Sequence, residues 1–448
     1  MSILTSIYYP LWGALGAFIW GPPMLAVFLF TGALFTLRSG LFPFRRLPLW
    51  LNITFGSLFR RQPKTEAGSI SQRQALTSAL AACLGTGNIV GVATALQLGG
   101  PGAVFWMWVS AALGMMTCCA ENILGVKYRW RTNEGGWMGG PMAYLECGLK
   151  SKGLARIYAA LLSLASFGIG NMTQANAIAE AAKQSVRLPP LITGAVIAIL
   201  VGLVIFGGVT RIAKVTEKLI PAMTILFLAA CGAVIAKNSS KIPGVLALIL
   251  SEAFKVRSVM GFGIFKAMRY GIARGVFSNE AGLGSSAVVH AAADVKEPAV
   301  QGMWGIAEVF IDTLLMCTVT ALTFLCAGPH GGNPTGLALA GLSFSGVFGA
   351  WGAHFLSFSI ILFAFATLTG WSFYGEQGAR YLFGERGAGV YRALFVAAIV
   401  LGCTLRLELV WDISDILNGL MAIPNLIGIL ALSGVVIRET KRYENVHP

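Results

Sequence analysis

Charge is scarce in this sequence. Aspartate, glutamate, lysine and arginine together supply 12% of the 448 residues, about half the share of an ordinary soluble domain. With 56% apolar residues and a mean hydropathy of +0.72, that scarcity excludes a water-soluble globular surface. Negative charge is the rarer sign, 19 acidic against 33 basic residues for a net +14. On a soluble chain such an excess would point to nucleic acid; here its placement along the chain decides otherwise. No charged residue precedes Arg38, so the first apolar run lacks the positive leader of a cleaved signal peptide, and none is expected. Paired cysteines are absent too. The eight cysteines (83, 118, 119, 147, 231, 317, 326, 403) contain no Cys-x-x-Cys, which argues against a disulfide framework or a zinc site and leaves buried reduced thiols. The four histidines (290, 330, 354, 447) form no His-Glu-x-x-His, and no Gly-x-x-x-x-Gly-Lys-Ser/Thr occurs. A zinc hydrolase or a nucleotide-driven pump is therefore not expected. There is no low-complexity tract and no soluble domain.

Long apolar runs are what the chain does have. Eleven windows of about 20 weakly charged residues, each long enough for a ~30 Å hydrocarbon core, lie near 11–36, 74–98, 103–125, 154–183, 190–208, 212–236, 266–293, 300–327, 350–378, 389–407 and 411–436. With the N-terminus outside, the inner loops collect Arg38, Arg45, Arg46, Arg60, Arg61, Lys64 and Arg73, then Lys127, Arg129 and Arg131, and later Arg380, Arg386 and Arg392. The outer loops carry fewer basic residues, mainly in 237–270, so the excess obeys the positive-inside rule and places the C-terminus in the cytoplasm. Stretch 37–73 interleaves arginine with Phe, Leu and Trp, the composition of an interfacial helix on the inner leaflet. Stretch 237–265 reads as an outer loop with a short helix.

Two of the windows are interrupted near their centres by glycine-rich polar sequence: "CLGTGNIVG" at 83–91 and "GVFSNEAGLGSS" at 275–286. Transporters built from inverted repeats place unwound helices at corresponding positions, where free amides and carbonyls face a midplane cavity. The breaks fall in segments 2 and 7, the first and sixth of ten helices that follow one extra segment. That is the arrangement of an all-α membrane protein of the LeuT-type five-plus-five inverted repeat. The expected division is 1–73, 74–293 with the outer loop 237–265, and 294–448.

At this point the chain resembles the alanine or glycine:cation symporter family, the sodium:alanine symporters of the amino acid, polyamine and organocation superfamily. The stretches that carry the resemblance are "GTGNIVGVATALQLGGPGAVFWMWV" (85–109), "GGPMAYLECGL" (139–149), "GNMTQAN" (170–176), "GIARGVFSNEAGLGS" (271–285), "FIDTLLMCTVTAL" (310–322) and "WDISDILNGLMAIPNLI" (411–427). Two local departures, Met116-Thr117-Cys118-Cys119 and Ser286-Ala287, leave the choice of substrate within the family open. The resemblance implies secondary active import of a small neutral amino acid, alanine or glycine with D-alanine in range, in symport with sodium by alternating access. The alternative is a proton-coupled or glutamine-preferring permease of the same fold; an enzyme is not expected. The partners implied are the amino acid, sodium and the lipid bilayer of the cell (inner) membrane, with neither nucleic acid nor an obligate protein partner.

A zwitterion at lipid depth needs donors for its carboxylate, acceptors for its ammonium and an apolar wall for its side chain. The amides around Thr86 and Gly87, at a helix end, suit the carboxylate; a small-residue packing notch is the competing reading. Asn88 has two roles open to it, capping the break or reaching the ligand. Asn171, Gln174 and Ile178 share one helical face, whereas Asn176 points away. The resemblance implies that the Gln174 amide oxygen meets the ammonium and keeps Asn176 in the binding set. It also implies that Phe277 and Trp371 wall the pocket, and a tryptophan there suits a methyl-sized side chain. For sodium, a hard cation that takes oxygen ligands, likeness to LeuT-type sites implies the carbonyls of Ala81 and Leu84 with the hydroxyl of Thr367, Thr369 being the fallback. Glu121, Arg274, Glu280 and Asp312 are ionisable at membrane depth and so candidates for function. Asp312 either modulates ion coupling or pairs with Arg274 or backbone amides.

Overall fold

The computed structural model describes residues 16, 18–58, 68–133, 135–255, 262–328, 336–405 and 407–446. They are helical almost throughout, as lipid requires of a chain that must pair every backbone amide within its own segment. The first described helix, α1 (Pro22–Arg38), opens on two prolines whose missing amides cost nothing there. Short helices Phe42–Arg45, Leu47–Ile53 and Phe55–Leu58 follow, in the stretch expected to lie along the interface; residues 59–67 are outside the described set. Helix α2 (Gln72–Cys83) is started by a capping box, with Gln74 N donating to Ser71 Oγ and Ser71 N to Gln74 Oε1. A single 3₁₀ turn (Thr86–Asn88) separates it from α3 (Val90–Gly99). After α4 (Gly102–Lys127) come a small hairpin of β1 (Trp130–Arg131) with β2 (Trp137–Met138), then α5 (Lys152–Phe167), a π turn at Gly168–Met172 and α6 (Thr173–Val186). Helices α7 (Pro190–Ile205), α8 (Gly208–Lys237) and α9 (Ile242–Ala253) lead to α10 (Phe262–Asn279).

The second interruption lies between α10 and the short α11 (Ser286–His290). There Glu280, Gly282 and Gly284 all take positive φ, at 57°, 98° and 77°. That geometry is cheap for glycine and unusual for glutamate. Next come α12 (Pro298–Val309), a π turn at Phe310–Cys317, α13 (Thr318–Ala327), α14 (Gly336–Phe348) and α15 (Ala350–Thr404), which bends at Gly384. Helices α16 (Leu407–Ala431) and α17 (Ser433–Val446) complete the chain.

Among the described residues six helical runs are long and apolar enough to cross a membrane: Gly102–Lys127, Lys152–Val186, Gly208–Lys237, Pro298–Ala327, Ala350–Thr404 and Ile413–Ala431. The shorter apolar helices are Pro22–Arg38, Val90–Gly99, Pro190–Ile205 and Ala338–Phe348. The windows expected at 350–378 and 389–407 lie on the two sides of Gly384, whose φ of 69° and ψ of −162° are not helical, so Ala350–Thr404 is two helices joined at a kink. Outward-facing Leu191, Ile192, Ile199, Leu203 and Phe206 give α7 and its end an apolar exposed flank, as a lipid-facing helix needs and a soluble one avoids.

The interior is closed by small residues. Helix α15 lies so close to α2 that a Cβ on Gly370 would fall 2.7 Å from Ala82 N. On the face that carries the basic loops, Ile70 pairs with the chain after α11, Ile70 N donating to Ala292 O and Asp294 N to Ile70 O. The Arg129 guanidinium donates to the carbonyls of Ala291, Ala293 and Val295 at 2.6–2.9 Å. The start of the first broken helix and the end of the second are thereby tied together on one side.

Candidate functional site

The first break can be followed amide by amide. In an unbroken helix Gly85 N would bond the Ala81 carbonyl and Asn88 N the Leu84 carbonyl. Instead Gly85 N turns to Cys83 O at 2.8 Å and to Asn88 Oδ1 at 3.1 Å, and Asn88 N turns to Gly85 O at 3.3 Å. The carbonyls of Ala81 and Leu84 thus lose their helical donors. The amides of Thr86 and Gly87 stand outside the backbone ladder, whose remaining local bond runs from Ile89 N to Thr86 O. All of this is buried.

The neighbours are supplied by three other elements. Thr86 Oγ1 donates to Gln174 Oε1 at 3.2 Å. The oxygen faces the break because Gln174 Nε2 is engaged behind it by Ile169 O at 3.0 Å, a carbonyl inside the π turn that precedes α6. From α15, Thr367 Oγ1 stands 2.5 Å from where a Gly85 Cβ would be, and it donates to Phe363 O at 3.1 Å. Thr369 is turned to its own helix, bonding Ala366 O at 2.7 Å. From α10, the Phe277 ring covers Gly87, its Cδ1 3.7 Å from the position of an added Cβ. The site therefore gathers two unladdered amides, an amide oxygen, two carbonyls without helical donors, a hydroxyl and an aromatic wall.

Trp371 is fully buried, packs on Gly170 and donates Nε1 to Glu280 Oε1 at 2.9 Å, while Ser285 Oγ donates to the other Glu280 oxygen. Glu280 therefore locks the indole from the second break. Asn88 is committed at both ends. Its Oδ1 accepts from Gly85 N, and its Nδ2 donates to Asp312 Oδ1 at 2.7 Å and Ser278 Oγ at 3.1 Å. It caps the first break and joins it to the second. Asn176 lies elsewhere: its Nδ2 bonds the carbonyls of Gly402 and Leu405 at the far end of α15, as its helical phase away from Gln174 requires.

Of the pairings open to Asp312, neither the one with Arg274 nor the one with backbone amides is made among the described residues. Asp312 does not meet Arg274. Its oxygens accept from Asn88, from Ser278 Oγ at 3.1 Å and from Thr313 Oγ1 at 2.6 Å. Arg274 pairs instead with Asp415 at 3.0 Å while lying over the Phe277 ring, its Cζ 5.3 Å from the centroid. Trp20 Nε1 holds the Asp415 carbonyl at 2.8 Å. One helical turn separates Arg274 from Phe277, and Asp415 lies 141 residues away, so spacing along the chain could not supply this partner.

The sequence reading also passed over Glu308 and His290, bonded Nε2 to Oε2 at 3.0 Å with both side chains fully buried. Cys83 Sγ, two residues before Gly85, donates to the same carboxylate at 3.2 Å. Both residues lie inside apolar windows, so the rule that flagged Asp312 also applies to them. Glu121 accepts from Gly282 N at 3.0 Å and Asn425 Nδ2 at 2.5 Å, which fixes the positive-φ turn of the second break.

Comparison with known proteins adds a family to this geometry. A model of the sodium:alanine symporter family matches residues 6–447. The chain is 44% identical over 438 residues to the sodium/alanine symporter AgcS of Methanococcus maripaludis, covering 96% of each. An uncharacterized transporter of Haemophilus influenzae is 43% identical, over 96% of this chain and 95% of that one. The probable sodium/glutamine symporter GlnT of Bacillus subtilis is 37% identical, over 95% of this chain and 88% of its own. Among solved structures, a manganese transporter of Eremococcus coleocola superposes with a TM-score of 0.53 at 14% identity, over 84% of this chain and 81% of that one. At that identity the likeness concerns the fold alone.

Proposed function

The chain belongs to the sodium:alanine symporter family, and from that premise we propose that it carries alanine or glycine across the membrane with sodium, by alternating access. The observation that carries the reading is the meeting of Thr86 and Gln174 at the first break, 3.2 Å apart, beside amides outside the helical ladder. The Thr86 and Gly87 amides take the carboxylate, aided by the positive end of α3. Gln174 Oε1 takes the ammonium, and Phe277 and Trp371 bound the side chain. Trp371, held by Glu280 and packed on Gly170, leaves space for a methyl group or a hydrogen and favours these over glutamine. Sodium takes the two carbonyls freed at Ala81 and Leu84 with Thr367 Oγ1. It therefore bridges α2 and α15, and its arrival orders the break and raises amino-acid affinity by linkage.

The same reading takes eleven spans and two inverted units of five around this site, with α1 as the extra helix. The second broken helix, α10 with α11, is then the first of the second five. The face of the basic loops is cytoplasmic, and the N-terminus is outside.

Uptake of radiolabelled alanine into proteoliposomes, with and without an inward sodium gradient, tests the reading. The expected result is accumulation only with the gradient, and uptake indifferent to it would sink the proposal. Gln174→Ala removes an acceptor for a charged group, an interaction of about 1.5–3 kcal/mol. Binding of alanine in detergent should weaken by about 10- to 100-fold, and unchanged affinity would remove Gln174 from the site.

A further inference from the structure

Beyond the break, α15 runs on toward the face of the basic loops, and about 9 Å of helical rise past Trp371 it reaches Gln377. There a second cavity of about 310 Å³ opens between α15, the β1–β2 hairpin, the link from α7 to α8 and the chain after α11. Its volume is roughly that of ten waters at about 30 Å³ each, enough for a small amino acid with some hydration. The walls carry charge in balance. Glu376 bonds Arg380 at 2.9 Å and stands 3.8 Å from Arg392 Nε, while Arg380 bonds Glu385 at 2.7 Å. Two guanidinium groups and two carboxylates leave no net sign.

Two polar atoms in these walls have no hydrogen-bond partner among the described residues. One is Gln377 Oε1, on a residue only 5% exposed; the other is Arg392 Nε. The first is an acceptor and the second a donor, in a neutral chamber. A buried polar atom left unmade is costly, and a lone anion or cation would satisfy only one of the two. A zwitterion satisfies both once the two side chains turn these buried atoms toward the cavity, its ammonium at Gln377 and its carboxylate at Arg392. We propose that this cavity is a release-side binding site for the transported α-amino acid, occupied between the midplane site and the aqueous face. The inference rests on the amino-acid reading given above and adds a site to it.

The test is exchange of radiolabelled for unlabelled alanine by the full chain in right-side-out and inverted vesicles, which present the two faces separately. Gln377→Met conserves volume and removes the amide; Arg392→Lys keeps the charge beside Glu376 and removes the Nε donor. Each should raise KM about threefold or more when alanine is offered from the cavity face, and leave KM from the opposite face unchanged. A structural or merely water-filled cavity predicts equal KM at both faces or a fall in Vmax alone, and either result for both variants overturns the site. Gln174→Ala separates the two readings. If it leaves both KM values unaltered while Gln377→Met shifts one, the midplane assignment fails; if it shifts both while Gln377→Met shifts neither, the release-side site fails.

Discussion

Gly85→Ala should abolish sodium-driven alanine uptake, by about a hundredfold or more in Vmax/KM, in a protein that still folds and reaches the membrane. The backbone at Gly85 is extended, with φ −123° and ψ −153°, so alanine meets no conformational penalty there. Its methyl group does meet other atoms. It would stand 2.5 Å from Thr367 Oγ1, 3.4 Å from Thr367 Cβ and 3.5 Å from Gln174 Oε1. The contacts with Thr367 Cβ and Gln174 are ordinary packing, but the hydroxyl must move, either by rotation of the threonine, which breaks its bond to Phe363 O, or by withdrawal of α15 from α2. In the proposed site those atoms are the cation's hydroxyl ligand and the ammonium's acceptor. One methyl group thus displaces the first and fills the space beside the second, where the ammonium would stand, and a loss of about 2.7 kcal/mol corresponds to the hundredfold. Gly91→Ala is the control. Nothing lies within 4 Å of an added Cβ at Gly91, and alanine is the better helix former by up to about 1 kcal/mol. Its uptake and thermal midpoint should equal or exceed those of the unmodified chain. Uptake by the two variants, normalised to protein in the vesicles, decides the matter; wild-type transport by Gly85→Ala would place the substrate and the cation elsewhere.

What the sequence disclosed about this site, and what it hid, divides by range. The break at Gly85–Asn88 is local: two glycines, a threonine and an asparagine in an apolar run weaken a helix wherever it packs, and the helix is interrupted there. Gln174 could be placed on a helical face by phase alone. The π turn at Phe310–Cys317 had no such marker, since "FIDTLLMC" reads as ordinary helix, and the glycines of Gly168–Met172 did not tell a widened turn from a broken one. Their extra residue is stabilised by what the widened turn receives, and at Gly168–Met172 the Ile169 carbonyl fixes the Gln174 amide. Partners were the least legible. Asp312 offered two obvious solutions to a buried carboxylate, a nearby cation or backbone amides. The fold used a third, side-chain donors from both breaks, 224 and 34 residues away. Apolar windows hid polar detail as well: one glutamate or one histidine among about 20 mostly apolar residues barely lowers the hydropathy of its segment, and the bond between Glu308 and His290 exists only in the fold. The kink at Gly384 was more legible: the windows at 350–378 and 389–407 already stood apart, and the backbone leaves helical geometry between them.

Asp312→Ala should cost both transport and stability, and the reason is the position of Asp312 between the two breaks. Its Oδ1 accepts from Asn88 and Ser278, and its Oδ2 from Thr313, whose hydroxyl accepts in turn from Asn279 Nδ2 at 3.1 Å. Asn88, on its other side, holds the Gly85 amide. A single carboxylate therefore fixes the first break, the last turn of α10 and the π turn of the eighth apolar segment, with no Lys or Arg paired to it among the described residues. Removing it takes the nearest acceptor from the Asn88 amide, which keeps Ser278 Oγ and the carbonyl of residue 312, and takes the carboxylate from two buried hydroxyls, and losing one partner of such a buried network costs roughly 3 kcal/mol or more. The thermal midpoint in detergent should fall by several degrees. Sodium-dependent uptake should fall further than the melting shift explains, because the Gly85 amide is released at the cation site. Asp312→Asn distinguishes the two losses. The asparagine oxygen still accepts from Asn88 and Ser278 while its NH₂ group displaces the Thr313 bond, so most of the thermal stability should return. A midpoint for Asp312→Ala equal to that of the unmodified chain would mean that the two breaks are held together by something other than this carboxylate.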